Sequence, residues 1–356
     1  QYDNPVVFAQ SASGNGGAPV TVRVRNVQSN RFEIFLAEPT NEDGTHGMET
    51  VTYLVLEAGV HTLHDGTRVE VGTVTTDATV HRNLTNEWET VNFSSSFEQT
   101  PVVLSQIQTL SVGGANYLNT RQHSVSPATV LLALEQDEAS GSPHVAETIG
   151  FMAIEAGTGV WSGLVYETST TANVVWDDWY DLAFDSFFND SPALLSSLAT
   201  YNGVDNANVR YTNLATGGVQ LKVSEDESAD TELTHAREAI SFFAIGESGL
   251  LTAVAPPPQV TAFVRDDGND AYDVLGTIQY TFDEDVTVTA DVLQLTNDSV
   301  GGGPVDLTGI GFNYDAGSLT ATWDFGRLPP LSAAWYTVTL DATKVTNDSG
   351  LMLNGN

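Results

Sequence analysis

The chain has 356 residues, 41% of them hydrophobic, and carries 46 Asp and Glu against 12 Lys and Arg, a formal charge of −34. So acidic a surface repels nucleic acid and anionic lipid, attracts cations and suits a salty medium, so no nucleic-acid partner is expected. The absence of cysteine excludes disulfides and thiolate chemistry, and no apolar run approaches the ~18 residues of a membrane helix, so no membrane insertion is expected. An N-terminal Gln in a cysteine-free chain reads as the mature end of a secreted protein, extracellular or at the cell surface and of bacterial type.

Alternation of apolar and polar residues dominates from the start, as in Val20-Thr21-Val22-Arg23-Val24 and Phe32-Glu33-Ile34-Phe35-Leu36. This is the period of half-buried strands, and Gly, Asn, Asp and Pro interrupt it at short intervals. Three stretches repeat one another: Arg23, His46 and Glu49 recur as Arg121, His144 and Glu147, then as Arg210, His235 and Glu238. A segment with Trp88, Val91, Phe93, Phe97 and Pro101 recurs as Trp179, Leu182, Phe184, Phe188 and Pro192. A fixed period of this size means duplicated domains. The spacing predicts repeats at 1–84, 85–174 and 175–254, each a small β-sandwich. A linker follows at 255–258, with Pro256-Pro257-Pro258 favouring an extended spacer. Strand-like runs at Val260–Phe263, Ile278–Phe282, Ala321–Phe325 and Tyr336–Leu340 predict an immunoglobulin-like sandwich over 259–356. The fold class is all-β: a string of three small antiparallel sandwiches plus a C-terminal immunoglobulin-like one.

The first repeat opens at Pro5, too early for a counterpart of 88–97, and is expected to lack that leading strand. The third lacks a counterpart of Arg68–Thr76 or Leu164–Thr171. An incomplete sandwich exposes a sheet edge, which a strand from another copy fills by β-augmentation, or which the chain closes on itself.

The repeats resemble the H-type lectin domain, a six-stranded sandwich that binds sugars and trimerises. The residues that carry the likeness are Phe93, Phe97 and Pro101-Val102-Val103; Phe184, Phe188 and Pro192; and Val22–Val27 with Phe32-Glu33-Ile34. The closing strands Val51–Val55 and Ile149–Ala153 also carry it. The C-terminal part resembles immunoglobulin-like modules of large bacterial surface proteins, through Arg265–Asp270, Tyr272-Asp273 and Trp323-Asp324-Phe325.

The repeated polar residues admit three readings. Arg, His and Glu form a polar clasp within the fold, the Arg holding the Glu as a bidentate pair; or His-x-x-Glu supplies two ligands of a metal completed elsewhere; or they contact sugar. The acidic loops at 38–44 and 225–230 read as solvated turns. Asp266, Asp267, Asn269, Asp270 and Asp273 read as a calcium site, the one cofactor the chain suggests. Trp161, Trp176 and Trp179 could form a sugar-stacking platform, although Trp179 matches Trp88 and so reads as core. No nucleophile elbow, metalloprotease helix or phosphate loop occurs, so an enzyme is not expected. The leading expectation is an extracellular structural protein that assembles with copies of itself into a filament or surface layer. The alternative is a multivalent glycan-binding lectin or adhesin, with calcium as its ion.

Overall fold

The structure, a computed structural model, describes residues 2–42, 44–63, 65–111, 116–246, 251, 258–266, 275–347 and 352–353. It divides into two compact units, 1–253 and 254–356.

The first unit holds nineteen strands among its described residues. The first repeat supplies β1 (Pro5–Ser11), β2 (Thr21–Gln28), β3 (Arg31–Ala37) and β4 (Val51–Glu57). Then come β5 (Gly59–Thr62), β6 (Arg68–Thr76), β7 (Thr79–Val80), β8 (Glu89–Asn92), β9 (Val102–Ile107), β10 (Leu118–His123), β11 (Thr129–Gln136) and β12 (Glu147–Ile154). The last seven are β13 (Gly157–Trp161), β14 (Leu164–Thr170), β15 (Tyr180–Ala183), β16 (Ala193–Leu198), β17 (Ala207–Ala215), β18 (Gly218–Glu225) and β19 (Ile240–Ile245).

Sheet pairing moves the expected repeat boundaries. The hairpin β5–β6 does not pair with β4; it extends the sheet β5-β6-β12-β9. Likewise β13–β14 joins the order β13-β14-β19-β16. Each hairpin therefore opens the next repeat, so the boundaries fall near 58 and 156 rather than at 84 and 174. Gly59 and Gly157 make both transitions, at φ +142° and +149°, a conformation that side chains rarely adopt. The third repeat has Glu247 and Ser248 after Gly246 in place of the Glu-Ala-Gly of 57–59 and 155–157. No hairpin continues from it among the described residues.

The chain is all-β, as expected, and its three small sandwiches are joined through a common interior. The three repeats pack around a shared core of residues from all of them: Phe8 and Leu56, Leu104 and Met152, Leu195 and Phe243, with Trp161 beside them. Each sandwich also has its own core, and these are unequal. Twelve side chains are buried in the second and fourteen in the third, but four in the first. The deficit follows from the strands. In the second repeat β8 pairs with β11, and in the third β15 pairs with β18. Among the described residues β1-β4 and β2-β3 are two-stranded sheets, with no counterpart of β8 or of the β5–β6 hairpin paired to them.

In the second unit, β20 (Val260–Arg265), β21 (Thr277–Phe282), β22 (Val286–Thr287), β23 (Leu293–Asn297), β24 (Gly311–Asp315), β25 (Thr320–Asp324), β26 (Tyr336–Leu340) and β27 (Thr346–Asn347) follow in order. They form a sheet β20-β21-β25-β24 and the pairs β22-β27 and β23-β26. Trp323 is fully buried at the centre, and its indole N–H donates to the Ala290 carbonyl at 2.9 Å. A buried indole needs such an acceptor.

Corresponding aromatics measure the difference between repeats. Phe151 and Phe242 are 5% and 2% exposed; Tyr53, at the same place in the first repeat, is 60% exposed. Phe151→Ala is expected to cost about 3–5 kcal/mol of unfolding free energy, and Tyr53→Ala under about 1 kcal/mol. Urea denaturation of the two variants checks this; equal losses would mean that Tyr53 is not at an open edge.

Candidate functional site

The repeated Arg and Glu do meet, but across repeats rather than within one. Arg23 on β2 lies 3.8 Å from Glu147 of the second repeat, Arg121 on β10 lies 2.8 Å from Glu238 of the third, and Arg210 on β17 lies 3.6 Å from Glu49 of the first. The three contacts close a ring. Each runs through one guanidinium nitrogen, so the expected bidentate pairing is not seen. Of the six side chains, five are fully buried and Arg210 is 12% exposed.

The surroundings repeat too. Each Arg also donates to a corresponding backbone carbonyl of the repeat that holds its Glu: Thr109 for Arg23, Thr200 for Arg121 and Ser13 for Arg210; Arg23 donates to the Asn116 carbonyl as well. The hydroxyls of these same residues donate to Glu147, Glu238 and Glu49. The amides of Ser111, Asn202 and Asn15 donate to the same carboxylates at 2.9–3.0 Å. A buried carboxylate needs this many donors, since unpaired burial costs several kcal/mol.

Two of the histidines complete the clasp. His46 bridges Glu38 and Glu49 through Nδ1 and Nε2, both at 3.0 Å. His235 bridges Glu225 at 3.0 Å and Glu238 at 3.3 Å. Gly16 and Gly203 lie against these rings so closely that an added Cβ would overlap the imidazole. His144 departs from the pattern: its Nδ1 faces the Val145 carbonyl at 2.6 Å, and Glu135 turns to Arg121 at 3.3 Å. The His46 and His235 side chains are 2% and 1% exposed. They have no surface to offer a sugar, and both ring nitrogens are committed.

Burial works to raise Glu238, but His235, the Arg121 charge and the Thr200 hydroxyl overcome it and hold the carboxyl down to about 2. Burial works to lower His235, and Glu225 and Glu238 overcome that, lifting it to about 9. Glu135 is pushed up to about 7 by burial against the opposing Arg121.

The acidic loops keep exposed tips, at Thr40–Glu42 and Ala229-Asp230, but are tied to one another. Asp137 accepts from Thr40, Asp226 from the Glu138 amide, and Ser228 from the Ala139 amide. All three repeats therefore meet at one end of the ring. Beside this junction, Glu138, Asp205 and Glu225 bring carboxylate oxygens within 4.8 Å of one another. Arg82 already bridges two of them, donating from Nη1 to Glu138 at 3.1 Å and Asp205 at 2.9 Å. Burial, with Asp226 and Asp205, pushes Glu138 up to about 8 against Arg82. Sequence reasoning missed Glu138, Asp205 and Arg82 because they lie outside the repeated pattern.

Of the expected calcium residues, Asp267, Asn269, Asp270 and Asp273 lie outside the described residues. Asp266 is described: its Oδ1 accepts from the Thr277 amide at 2.9 Å, and its Oδ2 lies 3.4 Å from Arg265. The tryptophans do not form one platform. Trp161 is in the shared core, Trp176 lies under Arg237, and Trp179 is 45% exposed under Lys222 rather than in the core. Trp88 packs edge-on against His123 and Tyr201. A cavity of about 80 Å³ lies where Gln10, Thr21, Gln106, Asn119, Ser197 and Asn208 meet, well under the ~300–1,000 Å³ of a small-molecule site.

Comparison with known proteins gives one informative likeness. Halomucin of Haloquadratum walsbyi (strain DSM 16790 / HBSQ001) is 32% identical to the chain over 263 residues. The match covers 70% of this chain and 3% of halomucin, so the chain is similar to a small part of a far larger protein. No family model and no solved structure matches. Among the described residues no helix is long and apolar enough to cross a membrane.

Two outcomes follow from the ring. Arg121→Met is expected to cost about 3–5 kcal/mol by stranding Glu238 as a buried charge, with part recovered in Arg121→Met/Glu238→Gln; a double variant no better than the single one counts against a direct pair. The pH profile has two flanks. Stability from Glu238 is present above its ordinary 4.5 and lost as pH falls toward 2. Stability from His235 is complete below 6.5 and lost as pH rises through 9, and that from neutral Glu135 and Glu138 is complete below 4.5 and lost by about 7 and 8. Urea midpoints at fixed ionic strength are expected to peak near pH 5. A midpoint still climbing from pH 5 to pH 8 contradicts this assignment.

Proposed function

We propose that the chain is a structural part of an extracellular surface protein, one that joins others of its kind into a filament or surface layer. The observation that carries the reading is the ring of buried Arg–Glu contacts. The repeated polar residues, the natural candidates for ligand work, are consumed in holding three repeats together. A unit clamped this way suits load-bearing and spacing.

Three further features support it. Halomucin is similar over most of the chain. The charge of −34 favours an extracellular life in salt, where ions screen self-repulsion within ~8–10 Å at moderate ionic strength. The cyclic packing also fits the resemblance to H-type lectins, which trimerise as separate subunits; here three copies on one chain take the place of three subunits. The lectin alternative loses His46 and His235, whose rings are enclosed by their own carboxylates.

The test is negative-stain electron microscopy and analytical ultracentrifugation of the full chain over a range of concentration and salt, with and without calcium. Filaments, chains or sheets are expected at high concentration. Monodisperse monomers under every condition would count against the reading.

A further inference from the structure

Among the described residues both sheets of the first repeat stop at two strands, and the other two repeats show what extends such sheets. In the second repeat a continuous segment, 59–97, closes both sheets. Its strand β6 pairs with β12, placing Val71 opposite Met152, and its strand β8 pairs with β11. Phe93 and Phe97 then cover Phe151, with Phe93 6.4 Å from it and 5.1 Å from Phe97 between ring centres. The third repeat uses 157–188 in the same way: β14 pairs with β19, β15 with β18, and Phe184 lies 6.1 Å from Phe242.

The covering segment holds itself together. Glu70 on β6, itself buried, accepts from the Ser94 amide at 2.8 Å. Arg68 donates to the Ser95 carbonyl at 2.8 Å, and its guanidinium stacks on Phe97 at 4.3 Å. In the third repeat Glu167 accepts from the Ser186 amide at 2.7 Å in the same role. Hairpin and following strand thus form one piece with its own internal ties, which docks as a unit.

In the first repeat the receiving surface is present and uncovered. On β4, Tyr53 takes the place of Phe151 and is 60% exposed, with Phe32 as its ring neighbour at 5.4 Å. Val51, Val55, Phe32, Ile34 and Leu36 are only partly buried. Among the described residues, neither β3 nor β4 has a strand partner beyond β2 and β1. Open edges beside a half-covered core are a liability that folded proteins seldom leave unmanaged.

We propose that the free edges of β3 and β4 are a docking site for a hairpin–strand segment from a neighbouring module of this same repeat type. Its hairpin extends β4 and its leading strand extends β3. Its pair of aromatics at the Phe93–Phe97 spacing closes over Tyr53 and Phe32. This rests on the structural reading above and names the joint through which one module is linked to the next. It is β-augmentation, with main-chain hydrogen bonds for affinity and the aromatic pair for register.

The test uses the full chain and a synthetic peptide of residues 59–97 added in trans, read by amide hydrogen exchange and isothermal titration calorimetry. The expected result is saturable binding, with exchange slowed by roughly tenfold or more in 31–37 and 51–57. Tyr53→Asp in the chain, or Phe93→Asp with Phe97→Asp in the peptide, is expected to abolish it. Absence of binding, protection confined to 147–154 by exchange with the resident hairpin, or protection that survives Tyr53→Asp would overturn the proposal. The outcomes separate from those of the assembly experiment. Binding at these edges without filaments would leave the joint standing and remove the filament, and filaments that leave 31–37 and 51–57 unprotected would do the reverse.

Discussion

Burying an arginine is costly unless a carboxylate and several further acceptors come with it. Here that requirement is met three times, and each time a carboxylate and a backbone carbonyl come from the next repeat, with Glu135 of its own repeat added for Arg121. Arg23 needs Glu147 and the Thr109 carbonyl, Arg121 needs Glu238 and Thr200, and Arg210 needs Glu49 and Ser13. None of the three repeats satisfies its own guanidinium by itself. The shared core of Phe8, Leu104, Leu195 and their neighbours supplies most of the apolar burial. The ring of charges fixes which repeat follows which, because a rotated or missing repeat would leave both an Arg and a Glu unpaired in the interior.

The same arrangement explains the histidines. A Glu that accepts from an Arg, a hydroxyl and backbone amides still presents one face, and His46 and His235 occupy it while reaching Glu38 and Glu225 on the other side. The imidazole therefore ties the loop after the second long strand to the start of the closing strand. It fits only because Gly16 and Gly203 present bare backbone to the ring. In the second repeat Glu135 serves Arg121 instead, so one clasp of the three is built differently while the ring stays closed.

Asymmetry enters through the strands, not the charges. The second and third repeats each begin with a hairpin and leading strand that close their sandwiches; the first begins at β1 with both sheets two-stranded. The ring is thus complete in its polar contacts and incomplete in its sheets.

Much of this was legible in the residues. Alternation and punctuation gave away an all-β chain, and the Arg, His and Glu spacings marked three repeats. These are local or periodic signals, which survive in one dimension. What only the tertiary structure decided was where each repeat begins and which Glu each Arg meets. Hydrogen-bond partners of β5–β6 and β13–β14 lie across a repeat boundary that spacing alone put in the wrong place, since a hairpin reads the same whichever sheet it joins. The Arg–Glu pairs lie more than a hundred residues apart in the chain, and a pattern that recurs three times offers each Arg three corresponding carboxylates. Packing around the shared core made the choice, by bringing each guanidinium against the neighbour's carboxylate rather than its own.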